Sequence, residues 1–207
     1  MKNICLVLLM LAAQMNLFAQ KSIKKDYFNY QVREEKGDLN NDGKIDRITV
    51  NMHTVNETRP LRLQIFLSQP NGKIVLAVSS IKIIEPQYPA ENKGKFNGYQ
   101  IPSFSIENGI LSMWREIKGG NITYDFKYRN GNFELIHVNK LTNNATKGYT
   151  DENTIFTETK FNLVTGLRIE TDEILGSKKP LNTRKKIVLI KPLPKIQDFK
   201  FSDKNLY

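Results

Sequence analysis

Apolar and polar residues alternate with a period of two along most of the chain, and glycine, proline and asparagine interrupt the alternation at short intervals. Ile122, Tyr124, Phe126 and Tyr128 fall on one side of an extended segment, while Thr123, Asp125, Lys127 and Arg129 fall on the other. This is the pattern of a half-buried strand. Asn130-Gly131 follows, a pair suited to the positive φ angles of a two-residue hairpin turn. NFELIHVNKL then supplies the partner strand, with Phe133, Leu135 and His137 predicted on one face. Asn108-Gly109 joins FSIE to ILSMWREI in the same way, and Gly119-Gly120 leads into the next strand, so a four-stranded meander is expected from Phe104 to Leu141.

The same pattern appears on both sides of this block. RLQIFLS and KIVLAVSSIKII flank a turn at Gln69-Pro70-Asn71-Gly72, where proline suits the second turn position and glycine the positive φ. Aligned on their Asn-Gly pairs, LQIFLSQPNGKIVLAVSSIK and YDFKYRNGNFELIHVNK match Ile74 with Phe133 and Leu76 with Leu135, a weak internal repeat. FTETKFNLVTGLRIETDEI predicts a further hairpin turning at Thr165-Gly166, and KKIVLIK a last strand stopped by Pro192 and Pro194. Glu85 to Gln100, with two prolines and two glycines, and Thr142 to Asn153 are expected to be loops. No stretch keeps a 3.6-residue apolar period, so helix should be minor. The expected fold is all-β: an antiparallel meander of about ten strands joined by Asn-Gly hairpins, curled into a partial barrel or propeller-blade-like sheet that covers its apolar faces.

The first nineteen residues depart from this pattern. Lys2, an apolar run from Ile4 to Ala13, and Ala19 at the end have the layout of a secretory signal peptide, so cleavage after Ala19 and a secreted or periplasmic destination are expected. No later segment is apolar enough to span a bilayer. Cys5, the one cysteine, lies inside that leader and too early to carry a lipoprotein anchor. Disulfides, thiolate catalysis and Cys-based zinc are thereby excluded from residues 20–207, which are expected to form a single β-rich domain stabilised by its own core.

The formal net charge is +10, and it thickens in the segment 178–207 at Lys178, Lys179, Arg184, Lys185, Lys186, Lys191 and Lys195. Such a run is either a patch for an anionic polymer or a solvated face. A cell-envelope protein or polysaccharide is the expected kind of partner. Nucleic acid is not, because no aromatic RNA-binding motif accompanies the charge.

One corner breaks the apolar alternation in a way that carries chemistry. GDLNNDGKIDRITV, Gly37 to Val50, places side-chain oxygens at Asp38, Asn40, Asp42 and Asp46, positions 1, 3, 5 and 9 of a loop whose position 6 is Gly43. Lys44, at position 7, offers its backbone carbonyl. Alternating hard oxygen donors with a glycine at the sharp turn is the layout of a calcium loop at 38–49. Three carboxylates brought together repel one another unless a cation sits between them. Calcium suits this flexible mixture of carboxylate, amide and carbonyl oxygens better than magnesium does. The competing reading is an Asx-type turn whose aspartates face water. Thr49 replaces the glutamate of an EF-hand at position 12, and a strand follows instead of a helix. The pattern DxNxDGxxD resembles the calcium loops of FG-GAP and VCBS repeats, which implies an extracellular binding or structural module whose metal stiffens a loop. The Phe-Gly element of those repeats is absent and only one loop occurs. In general layout the chain also resembles small exported β-rich proteins of Bacteroidetes-type bacteria that carry one such loop ahead of a β-rich body.

No catalytic constellation is evident. GxSxG, HExxH and P-loop motifs are missing. Of the two histidines, His137 is expected to be structural, and His53 lies near the end of the strand leaving the aspartate loop. Glu107, Glu116, Asp125 and Glu134 lie on neighbouring predicted strands, where they serve either as a glycosidase pair or, opposite Lys127 and Arg115, as cross-strand ion pairs. Trp114, Tyr99 and Tyr88 offer a sugar-stacking platform, although a lone tryptophan in a β-protein more commonly joins the core. The expected function is therefore a non-enzymatic binding or structural module, with a glycan hydrolase or an anionic-polymer binder as the alternatives.

Overall fold

A computed structural model describes residues 26–145, 152–177 and 179–201. The expected leader, the interior of the loop at 142–153, Lys178 and residues 202–207 lie outside these described residues. The fold is all-β, as expected. The strands are β1 (Tyr30–Gly37), β2 (Asp46–Met52), β3 (Leu61–Ser68), β4 (Ile74–Ser80), β5 (Ser103–Glu107), β6 (Ile110–Ile117), β7 (Gly120–Arg129), β8 (Asn132–Asn143), β9 (Ile155–Asn162), β10 (Leu167–Ile174) and β11 (Asn182–Ile187). Two short 3-10 helices, Ala90–Asn92 and Ile196–Asp198, are the helical elements among the described residues, and no helix there is long and apolar enough to cross a membrane.

The strands form two antiparallel meanders, not one. β1 to β4 make a four-stranded sheet and β5 to β11 a seven-stranded sheet, each in sequence order, and neither closes into a barrel. The break falls in residues 81–102, where Pro86, Pro89 and Pro102 lack the N–H that a continuous ladder needs. Ile83 and Ile84, predicted to extend the strand before them, instead drop into the core from this irregular segment.

The core explains why both sheets are needed. β3 buries Leu61, Leu63, Ile65 and Leu67 on one face, β2 adds Ile48 and Val50, and β7 buries Ile122, Tyr124 and Phe126. These belong to one continuous cluster with Leu111, Met113, Phe133, Leu135 and Phe161. The C-terminal 3-10 turn plugs the cluster: Phe199 meets Tyr124 edge-on at 4.8 Å and Phe126 at 5.9 Å. Fully burying a side chain of this size stabilises by roughly 1.5–3 kcal/mol, so the cluster carries the stability that disulfides would otherwise supply.

The turns follow the sequence closely. Asn108-Gly109 and Asn130-Gly131 all have positive φ, between 49° and 77°, as a two-residue hairpin requires. The registers hold one surprise. In β7–β8 the pairing skips Ile136, with Asp125 opposite His137 but Phe126 opposite Leu135. This bulge reverses the side-chain phase, so Val138 is buried and His137, expected beside Phe133 and Leu135, turns outward. The hairpin β3–β4 skips Ala77 in the same manner. Ala77 and Ile136 are equivalent in the alignment of the two hairpins, yet Ile74 and Leu76 are exposed where Phe133 and Leu135 are buried. The last strand is also displaced. It runs Asn182–Ile187 and not through Lys191, because beyond Ile187 the chain turns back to β8, where Pro194 O accepts the Leu135 N–H and Lys195 bridges Glu134.

Gly120 marks the tightest backbone approach. A Cβ there would lie 1.9 Å from the Leu141 carbonyl oxygen on β8. Because that obstacle is main chain and cannot rotate away, Gly120→Ala should destabilise the protein by about 1–3 kcal/mol or more. Urea unfolding should show a lowered midpoint, and NMR should place the perturbation at the β7–β8 start.

Candidate functional site

The aspartate corner sits where the two sheets meet. β1 lies beside β5, and Gly37 at the end of β1 faces Ile106 so closely that a Cβ would come within 2.6 Å of Ile106 Cγ2. Four residues later the Asn41 side chain covers Gly109 in the β5–β6 turn, where a Cβ would lie 2.5 Å from Asn41 Oδ1. The loop is thus seated on the second sheet by two glycines, and its own reversal uses positive φ at Asn41 and Gly43.

Within the loop, positions 1, 3 and 5 converge. The Asp42 N–H lies 3.1 Å from Asp38 Oδ1 and 3.2 Å from Asn40 Oδ1. Asp38 Oδ2 accepts the Gly43 N–H at 2.7 Å, and Asp42 Oδ1 accepts the Lys44 N–H at 2.9 Å. Asn40 Nδ2 donates to Asp42 Oδ2 at 3.1 Å. These are the bonds of the Asx-turn reading, and they gather two carboxylates and one amide at the protein surface. Among the described residues, no group of three or more His, Cys, Asp or Glu is placed to hold an ion.

Asp46, position 9, stands apart from this cluster. It is 0% exposed, its Oδ2 accepts the Leu39 N–H at 2.9 Å, and its Oδ1 accepts the Ser68 N–H at 2.8 Å. Ser68 in turn donates its hydroxyl to the Ile45 carbonyl at 2.6 Å. One buried carboxylate therefore ties the loop to the end of β3. Burying such a group is tolerable only because both oxygens find amides. Whatever the exposed residues bind, Asp46 has this structural task, which the spacing alone did not indicate.

The donor chemistry still suits calcium. Asp38, Asn40 and Asp42 offer hard oxygens at the surface, the Lys44 carbonyl is of the same kind, and each Asp46 oxygen keeps a lone pair beyond its amide bond.

The residues considered for catalysis do not form a catalytic unit. Ser112 Oγ donates to Asp125 Oδ1 at 2.7 Å, and His137 Nδ1 lies 3.9 Å from Asp125 Oδ2. Here aspartate occupies the middle position, whereas nucleophilic activation needs the imidazole between carboxylate and hydroxyl. His53 is engaged in packing: Nδ1 accepts the Asn56 N–H at 3.0 Å, and the ring stacks on Tyr27 at 5.4 Å and meets Phe28 at 5.0 Å. Arg62 lies over Phe28 and bonds Asp26 at 2.6 Å, holding the Asp26 carboxyl below its usual range.

Glu134 stands opposite Lys127, as cross-strand pairing predicts, but Arg115 stands opposite Ile122. Arg115 is buried, donates to the Phe201 carbonyl at 3.1 Å and lies over Tyr124. The inward parity of β6 belongs to Leu111, Met113 and Arg115, so Trp114 faces out at 36% exposure and is not a core residue. Tyr88 packs on Phe96 at 6.0 Å. The concavity lined by two glutamates, Glu85 and Glu116, encloses about 20 Å³, room for about one water. Glu116 also already accepts the Gln100 N–H.

The basic segment is partly neutralised. Arg184 on β11 bonds both Glu170 and Asp172 of β10. The Arg184 guanidinium holds the Asp172 carboxyl below its usual range, assisted by the Thr157 hydroxyl. Burial raises the Glu170 pKa, but Arg168 and Arg184 outweigh it and the net direction is down. Lys185 and Lys186 face Ile169 and Arg168 instead and are exposed.

No protein-family model, curated protein or solved structure matches the chain.

Two outcomes are expected from this geometry. Asp46→Ala should cost about 1–3 kcal/mol for each amide left without an acceptor, with or without calcium, and Asp46→Asn should cost less because one acceptor oxygen survives. Denaturant titration of the three proteins measures this. Separately, the folded pKa of Asp172 lies below its unfolded value of roughly 4. The pair with Arg184 therefore stabilises β10–β11 above that value, and the contribution is lost as pH falls through the folded pKa. A carboxyl NMR titration should place the Asp172 midpoint below that of an ordinary aspartate, and Arg184→Gln should return it.

Proposed function

We propose that the chain is an exported binding or structural module, not an enzyme, whose corner at 38–49 takes a calcium ion. The observation that carries the reading is that Asp38 and Asn40 both accept the Asp42 N–H while the Asn40 amide also donates to the Asp42 carboxylate, which gathers three oxygen-bearing side chains beside a glycine turn. In this reading those side chains and the Lys44 carbonyl hold the ion, and Asp46 adds a lone pair without releasing Leu39 or Ser68. The resemblance to FG-GAP and VCBS loops, where the metal stiffens an extracellular loop, supports the same assignment. So does the leader-like start of the sequence, which is where export enters the proposal.

The corner joins the two sheets through Gly37, Leu39 and Asn41, so an ion there would restrain the start of β2 against β5. Lys44 and Arg47 oppose the negative charge and weaken binding, giving an expected dissociation constant of roughly 0.1–1 mM, in the range of extracellular modules. The partner class that fits is a cell-envelope protein or polysaccharide, met by the sheet surfaces and by the exposed Lys185 and Lys186.

Calcium should raise the thermal midpoint of the protein, with stabilisation approaching about 2.7 kcal/mol at a hundredfold excess over the dissociation constant. Asp42→Ala should abolish the rise, with the calcium-free midpoint itself lowered somewhat by the loss of the turn bonds to the Lys44 N–H and the Asn40 side chain. Calorimetry with and without several millimolar calcium tests this, and equal midpoints for the unmutated protein would refute calcium binding.

A further inference from the structure

The outer face of the seven-stranded sheet carries a hollow of about 270 Å³. Its floor is backbone, because the paired Val138 and Phe161 both turn their side chains into the core. His137 and Asn139 stand beside it on β8, Lys160 and Asn162 on β9, and Leu167 and Ile169 on β10. The bulge at Ile136 makes this site. Without that phase reversal His137 and Asn139 would point inward and Val138 would occupy the hollow. Asn162 Oδ1 accepts the Thr165 N–H at 3.0 Å, which orients the amide. Among the described residues no hydrogen bond engages the Asn139 side chain, the Asn162 NH2 or the His137 ring. The rung through Asn139 continues to Thr123 on β7 and Trp114 on β6, both on the same outer face. Trp114 thus lies two strand spacings from the hollow, about 10 Å.

We propose that this face binds a neutral polysaccharide chain laid across the strands, with one sugar ring in the hollow and another on Trp114. The inference rests on the reading of the chain as a binding module and names its ligand class. A sugar ring carries hydroxyls, each a donor and an acceptor, around its rim and C–H groups on its faces. The amides of Asn139 and Asn162 supply both hydrogen-bonding functions, while Leu167, Ile169 and the Trp114 indole meet the C–H faces. The hollow lies just under the range of whole small-molecule sites, roughly 300–1,000 Å³, which suits one ring of a longer chain. Charge selects the neutral class. Lys160 Nζ lies 2.8 Å from Glu158 and His137 Nδ1 3.9 Å from Asp125, so an acidic chain would meet two carboxylates beside the hollow. A purely aliphatic ligand would leave the amides and the imidazole covered and unpaired.

Trp114 is the one tryptophan in the chain, so intrinsic fluorescence reports on this face alone. Titration at physiological salt with cellohexaose, mannohexaose, xylohexaose and chitohexaose, and with polygalacturonate as the acidic comparison, tests the proposal. At least one neutral hexasaccharide should move the Trp114 emission and shift the side-chain NH2 signals of Asn139 and Asn162 in 1H–15N spectra. Asn139→Ala and Leu167→Ala should each raise its dissociation constant tenfold or more while circular dichroism stays unchanged. No response to any neutral hexasaccharide at millimolar concentration, tighter binding of polygalacturonate, or affinity indifferent to Asn139→Ala would overturn the proposal. The hollow lies on β8–β10 and the aspartate corner on the β1–β2 loop, so saccharide binding should be equal with calcium and with a chelator. A calcium-dependent midpoint without a saccharide response would overturn this proposal and leave the corner standing. A saccharide response without a calcium-dependent midpoint would do the reverse.

Discussion

Two meanders that each carry one apolar face must hide those faces in a common core, and most of the architecture follows from that requirement. Without disulfides among residues 20–207, the cluster running from Leu61 and Ile65 to Tyr124, Phe126 and Phe161 supplies the cohesion. It explains why irregular segments contribute Ile83, Ile84, Ile196 and Phe199, which seal gaps that regular strands leave. It also explains why β10 and β11, which bury no residue in that core, are held by ladder bonds and by the Arg184 pairs with Glu170 and Asp172.

The aspartate corner divides its residues between two tasks. Asp46 is withdrawn from water and spends both oxygens on the amides of Leu39 and Ser68, so it belongs to the scaffold. Asp38, Asn40 and Asp42 stay at the surface, where their oxygens organise the turn. Fixing the loop through a buried carboxylate leaves little conformational entropy to be lost in any contact the exposed residues make.

Side-chain periodicity made most of the strands legible, because a half-buried strand must alternate and a two-residue turn must accept positive φ. The four strands of β5–β8 and both Asn-Gly turns follow directly. What it missed has local causes. The bulge at Ile136 leaves no mark in an apolar run, yet it turned His137 outward. Trp114 was assigned by residue type to the core, whereas its parity on β6, set by Leu111 and Met113, puts it outside. Arg115 took the inward place by donating to the Phe201 carbonyl, a partner far along the chain that no local pattern could name. In the corner, spacing picked out five candidate ligands but not the burial of Asp46.

The sequence by itself determined the class of fold, the turn positions and the set of oxygen donors, since these depend on residues within a few positions of one another. Tertiary structure decided that the meander splits in two at residues 81–102 and that the corner lies on the seam between the sheets, where β1 and β5 lie beside one another. Those outcomes depend on which surfaces meet, and contact between distant segments is fixed by the shape of the shared core and not by periodicity along the chain.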